Sequence, residues 1–148
     1  MRVDRRSRTL AALAGAATGL ALGAAVATSL ERHLVRGESM VPALRPRDTV
    51  ISVRADSILG RLAGRLVGPR PDRIAVIALP WEHDLLGVKR LVAGPDQAWH
   101  DGDDHVAAGP GWVAVGDQRV LSTDSRHHGR VPTENIRGIV VGRIKPPG

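Results

Sequence analysis

Ile74-Ala75-Val76-Ile77-Ala78-Leu79-Pro80-Trp81-Glu82-His83-Asp84-Leu85-Leu86-Gly87-Val88-Lys89-Arg90-Leu91-Val92 sets two short apolar runs on either side of a polar break. Each run is rich in β-branched residues and too short for a typical helix. Pro80-Trp81-Glu82-His83-Asp84 has the composition of a turn. The stretch reads as a β-hairpin, with strands at Ile74–Leu79 and Leu86–Val92. Similar runs flank it at Thr49–Val53, Gly111–Val115 and Ile139–Ile144, separated by Gly, Pro and Asp. A mainly antiparallel β domain over residues 31–148 is the expectation.

One segment departs from the strand pattern. Ser57 is placed to cap a short helix in which Ile58, Leu59, Leu62, Leu66 and Val67 share one side, with Arg61 and Arg65 near its edge. Two readings stay open for it. It covers one end of the sheet, or it is a basic amphipathic helix lying on anionic lipid.

Upstream, Thr9 to Leu30 is a stretch of 22 residues without a charge, preceded by Arg2, Arg5, Arg6 and Arg8. As a helix it would span about 33 Å, close to the thickness of a bilayer's hydrocarbon core. Residues 1–8 then read as a basic cytoplasmic terminus and 9–30 as a single-pass transmembrane helix. Residues 31–148 become an extracytoplasmic domain at the cell membrane. The Ala- and Gly-rich composition makes the apolar drive per residue modest. Ala25-Val26-Ala27 also resembles a signal-peptide cleavage site, the competing reading of the same segment.

Composition narrows the function further. The chain of 148 residues has no cysteine, which removes disulfides and thiolate metal sites. Its six histidines form no metal-ligand pattern, and His127-His128 and Asp103-Asp104-His105 read as turn residues. No metal or other cofactor is expected. The net charge is +6, yet three Trp are the only aromatics and the basic residues are scattered. A nucleic-acid partner is therefore not expected.

Chemistry concentrates at Ser39 and Lys89. A serine hydroxyl is a weak nucleophile until a base takes its proton. Lysine serves as that base only when neutral, which requires burial. Alternation along the second hairpin strand puts Lys89 and Leu91 on one face and Val88 and Arg90 on the other. Alone, each residue would read as an ordinary loop hydroxyl and a solvated strand lysine.

Three ordered runs join them: Ser39-Met40-x-Pro42-x-Leu44, Lys89-Arg90, and Gly116-Asp117-x(4)-Ser122-x-Asp124-Ser125-Arg126-x-x-Gly129-x-Val131-Pro132. Together they resemble the successive motifs of bacterial type I signal peptidases, over residues 37–144. The resemblance implies a membrane-anchored serine endopeptidase, with a small antiparallel β catalytic domain after one N-terminal transmembrane helix. Such an enzyme cleaves signal or pro-peptides from exported precursors after small residues. It implies Ser39 as nucleophile, Lys89 as general base and then acid, and Ser122 as the hydroxyl that orients the amine. Asp124 and Arg126 would pair to hold the Ser122 loop. The Ser39 N–H would meet the oxyanion with help from Gly37, and Met40, Leu44 and Val88 would line the substrate pockets. Gly87, where the family often has a large side chain, would widen them.

The sequence departs from the family pattern at Arg47, where glycine is usual, at Asp96-Gln97, where Gly-Asp is usual, and at Gln118, where Asn is usual. The glycine losses predict strain where φ is positive. Only 26 residues separate Lys89 from Gly116, too few for the second β domain of larger members. A minimal general peptidase and a dedicated maturation protease both fit that size. A self-cleaving repressor protease shares the Ser/Lys chemistry, but a hydrophobic stretch occupies the place of its DNA-binding module. An inactive, membrane-anchored peptide-binding module is the non-enzymatic alternative.

Overall fold

A computed structural model describes residues 5–147, with side chains from residue 15 onward. In chain order the elements are α1 (Arg5–Ser29), β1 (Leu30–Leu34), β2 (Thr49–Arg54), α2 (Ile58–Leu62), α3 (Gly64–Val67), β3 (Ile74–Leu79), β4 (Leu85–Ala93), β5 (Trp99–Asp101), β6 (Asp104–Val106), β7 (Val113–Val115), α4 (Ser125–His128) and β8 (Ile136–Ile144). Six strands form one sheet in the order β1-β2-β8-β3-β4-β7, antiparallel throughout. The fold is mainly β.

β3 and β4 form the expected hairpin, in register from Ile74↔Arg90 to Leu79↔Leu85. The turn is a 3₁₀ segment over Pro80–Glu82, closed by His83 and Asp84 in left-handed conformation. Asn135 Nδ2 donates to Ala78 O at 2.7 Å and steadies it. β3 is apolar at nearly every position because both of its faces are covered. Ile77 and Leu79 join Leu91, Trp112, Val131 and Ile139 in one cluster. Ile74 packs with Met40, Leu44, Val50 and Val88 in another. Register shifts in the β2–β8, β3–β8 and β4–β7 pairings mark bulges, which increase local twist and curl the sheet around these cores.

Several expectations need correction. The helix begun at Ser57 breaks at Ala63 into α2 and α3, and no residue of either is buried. α2 still lies against the end of β2, with Leu59 and Val67 half-buried, while Ile58, Leu62 and Leu66 stay exposed. Between Lys89 and Gly116 the chain completes β4, forms the separate two-stranded β5–β6 ribbon and returns to the main sheet as β7. At the N-terminus α1 ends at Ser29, and Leu30 opens β1. Among the described residues no helix is long and apolar enough to cross a membrane, so the expected span over residues 9–30 is met in its helical structure alone. Frequent Ala, Gly and Thr keep that helix weakly apolar. The basic cluster of residues 1–8 lies outside the residues whose side chains are described.

The expected strain is present at two positions, Arg47 with φ 74° and Asp96 with φ 60°. Arg47 sits in the turn after Leu44, where its N–H donates to Val35 O at 2.8 Å. Arg47→Gly is expected to raise stability by about 0.5–1 kcal/mol after glycine's own entropic cost. An upward shift of the urea midpoint would register it.

Candidate active site

Alternation along β4 buries Lys89, Leu91 and Ala93 and leaves Val88, Arg90 and Val92 half-buried. Lys89 is only 5 % exposed. Its Nζ donates to Ser122 Oγ at 2.9 Å. Ser122 Oγ in turn donates to Asp124 Oδ2 at 2.6 Å. A hydroxyl has one proton; given to Asp124, it leaves Ser122 Oγ able only to accept from Lys89. The lysine is thus held by one N–H, and a neutral amine keeps its lone pair free.

Burial is the main force on Lys89 and pushes its pKa below the ordinary lysine value. The charges of Asp124 and Glu82 act in the opposite direction, and Arg126 adds to the lowering. Glu82 sits in the hairpin turn and lines the same groove as Lys89. The sequence marked it as a turn residue only, because nothing local reveals that the turn folds beside the lysine.

Asp124 is fully buried and is the hub of the third motif. It accepts from Gly116 N at 2.8 Å and from Arg126 Nε at 3.0 Å and Nη2 at 2.6 Å. It also caps α4, accepting from Arg126 N, while His127 returns a ring nitrogen toward the Asp124 N–H. Burial alone would raise its pKa. The hydrogen bonds, led by Arg126 and followed by Gly116 and Ser122, outweigh it and hold the carboxyl below its ordinary value.

Ser39 lies in the turn after β1 and is half-buried. Its carbonyl accepts from Gln118 N at 2.8 Å. A Cβ on Gly116 would stand 2.6 Å from that carbonyl oxygen and 2.6 Å from Ser122 Cβ. Glycine is therefore required there for the Ser39 turn and the Ser122 loop to approach each other. Gln118 departs from the pattern the sequence otherwise resembles, yet it joins the two runs through its backbone, which any residue supplies. The Ser39 N–H donates to no acceptor among the described residues, and Gly37 is exposed beside it.

Ser39, Met40, Val88 and Lys89 line one groove of about 730 Å³, together with Gly37, Glu38 and Thr123. No direct Ser39–Lys89 hydrogen bond is formed among the described residues. Leu44 does not belong to the groove. It is 3 % exposed and packs with Val35, Met40 and Val50, because the turn points it into the core. Gly87 does not widen the groove by leaving empty space. A Cβ there would come within 2.6 Å of Leu79 Cδ1, so Leu79 fills the room.

A further pair went unread in the sequence. Arg90 makes a bidentate contact with Asp117, at 2.8 and 2.7 Å, and donates to Asp72 O at 2.9 Å. It ties β4 to the start of the third motif on the face opposite Lys89. The adjacency of Lys89-Arg90 and Gly116-Asp117 in their two motifs was the available signal. Comparison with protein-family models and with curated proteins finds no match for this chain.

Proposed function

We propose that this chain is a membrane-anchored serine endopeptidase that removes signal or pro-peptides from exported precursors by a Ser/Lys mechanism. The observation that carries the reading is the buried Lys89 amine, held by Ser122 and lining one groove with Ser39. A buried lysine is costly to keep, and this one is wired to a fully buried carboxylate through a single hydroxyl. Such an arrangement suits a base better than a structural contact.

In the proposed reaction, Lys89 Nζ takes the Ser39 Oγ proton as Oγ bonds to the scissile carbonyl carbon. The oxyanion is met by the Ser39 N–H, with Gly37 beside it. Lys89 then returns the proton to the leaving amine as the C–N bond breaks. A water, activated by the same amine, hydrolyses the ester on Ser39. Met40 and Val88 in the groove wall, with Leu79 filling the space under Gly87, suit small residues before the cleaved bond.

The anchor is part of this proposal. Leu20 and Leu22 on α1 are 76 % and 66 % exposed, and the segment carries no charge from Thr9 to Leu30. An uncharged helix with bare leucines suits insertion in a bilayer better than exposure to water.

Purified full-length protein in detergent, given precursor peptides with Ala-x-Ala sites, is expected to cut after the second Ala. No cleavage of any peptide, together with no acylation of Ser39 by a serine-reactive probe, would favour a peptide-binding module. Ser122→Ala is expected to lower kcat by about 10²-fold while the fold persists, because the amine loses its orienting partner. Full activity in that variant would remove Ser122 from the site.

A further inference from the structure

α2 and α3 present an apolar surface that the domain leaves uncovered. Ile58, Leu62 and Leu66 are 62 %, 83 % and 72 % exposed. The orientation follows from Gly60 on the opposite side of α2. A Cβ there would run into the Arg54 carbonyl oxygen and lie 3.1 Å from that of Ala55. Gly60 thus faces the end of β2, which turns Ile58 and Leu62, one helical turn apart, away from the body. Ser57 fixes that start by accepting from Gly60 N at 3.0 Å.

The same surface is basic. Arg61 and Arg65 are exposed along it. Arg70 and Arg73 converge on the Leu66 carbonyl at 3.4 and 3.2 Å. None of these four guanidiniums pairs with a carboxylate among the described residues. Arg54 and Arg119, in contrast, pair with Asp56 and Asp104. Bare leucines among unneutralised arginines are the combination that an anionic lipid surface complements. The location agrees, since α2 lies against α1, the helix assigned to the bilayer.

We propose that α2 and α3 form a foot that rests in the headgroup region of an anionic bilayer beside α1; this rests on the anchor reading given above. Ile58, Leu62 and Leu66 enter the boundary between headgroups and acyl chains, and Arg61, Arg65, Arg70 and Arg73 meet the lipid phosphates. With α1 and the foot both engaged, the body is held by two contacts rather than one. The groove then keeps a fixed height and orientation above the membrane instead of swinging on a single tether.

The chain has no cysteine, so one introduced thiol reports without background. Leu62→Cys and, separately, Leu20→Cys in the full-length protein would carry an environment-sensitive fluorophore. Each is reconstituted into vesicles of phosphatidylglycerol with phosphatidylcholine, or of phosphatidylcholine alone. In the anionic vesicles both probes are expected to shift to the blue. Nitroxide lipid labelled near the headgroup should quench the Leu62→Cys probe, and deeply labelled lipid the Leu20→Cys probe. Adding Arg61→Ser and Arg65→Ser, or removing phosphatidylglycerol, should return most of the Leu62→Cys emission toward its value in water. A lipid signal at Leu20→Cys with a water signal at Leu62→Cys would overturn the foot and leave the anchor standing. Water signals at both would overturn the anchor, and the foot with it. A Leu62→Cys signal indifferent to phosphatidylglycerol and to the arginine changes would overturn the anionic-lipid assignment.

Discussion

Ser39→Ala and Lys89→Met are each expected to lower kcat for an Ala-x-Ala peptide by at least about 10⁴-fold, with the double variant no worse than either alone. The non-additivity follows from the chemistry: nucleophile and base form one unit, and losing either removes the activated oxygen. Neither change should unfold the protein. Ser39 is half-buried in a turn held by its carbonyl. Methionine keeps most of the lysine's volume next to Leu91 while ending the cost of a buried amine. Near-UV circular dichroism would verify the fold. A serine-reactive acylating probe should label wild type and fail on both variants. Turnover above about a tenth of wild type in either would sink the dyad.

Arg126→Ala is expected to destabilise the domain by about 3–5 kcal/mol, the usual cost of leaving a buried charge without its partner. The pair is deeply placed, with side-chain exposures of 6 % for Arg126 and 0 % for Asp124. The loss has a pH signature. Asp124's carboxyl lies below its ordinary value in the folded protein. Its contribution is therefore present above the unfolded value of 3.8 and is lost as pH falls through the folded one. Without the guanidinium that window moves up, and acid unfolding should begin at higher pH. Activity should fall as well, because Asp124 fixes Ser122, which holds Lys89. Urea unfolding at several pH values would measure both effects; an unchanged acid midpoint would show that Arg126 does not govern Asp124.

The five strands read in the sequence were legible because their short runs are rich in β-branched and apolar residues and their breaks carry Gly, Pro and Asp. β1 was not, for a physical reason. Leu30 and Leu34 are exposed, while Glu31 and His33 are half-buried, inverting the pattern that identifies a strand. His33 is accommodated by the buried Ser52, with Nε2 3.2 Å from its Oγ. β5 and β6 hid behind a charged turn, Asp101-Gly102-Asp103-Asp104. In the site, alternation alone put Lys89 on the buried face of β4. The Lys89–Ser122–Asp124 relay needs residues 33 positions apart, and the resemblance, not the spacing, brought them together. Leu44 was misplaced for the opposite reason. A motif residue close to a candidate nucleophile invites a pocket role, while the turn sends it into the core.

The central claim is that Lys89 works as a neutral base, and the pH dependence of kcat/KM for a precursor peptide tests it most directly. Burial lowers the lysine's pKa from 10.5, and only the deprotonated amine accepts the Ser39 proton. The rate should therefore climb with pH and level off, with the midpoint of the limb below 10.5. Glu82→Gln removes a charge that favours the ammonium and should move the limb to lower pH. A rate flat from about pH 6 to 10, across which an ordinary lysine stays largely protonated, would contradict Lys89 as the base.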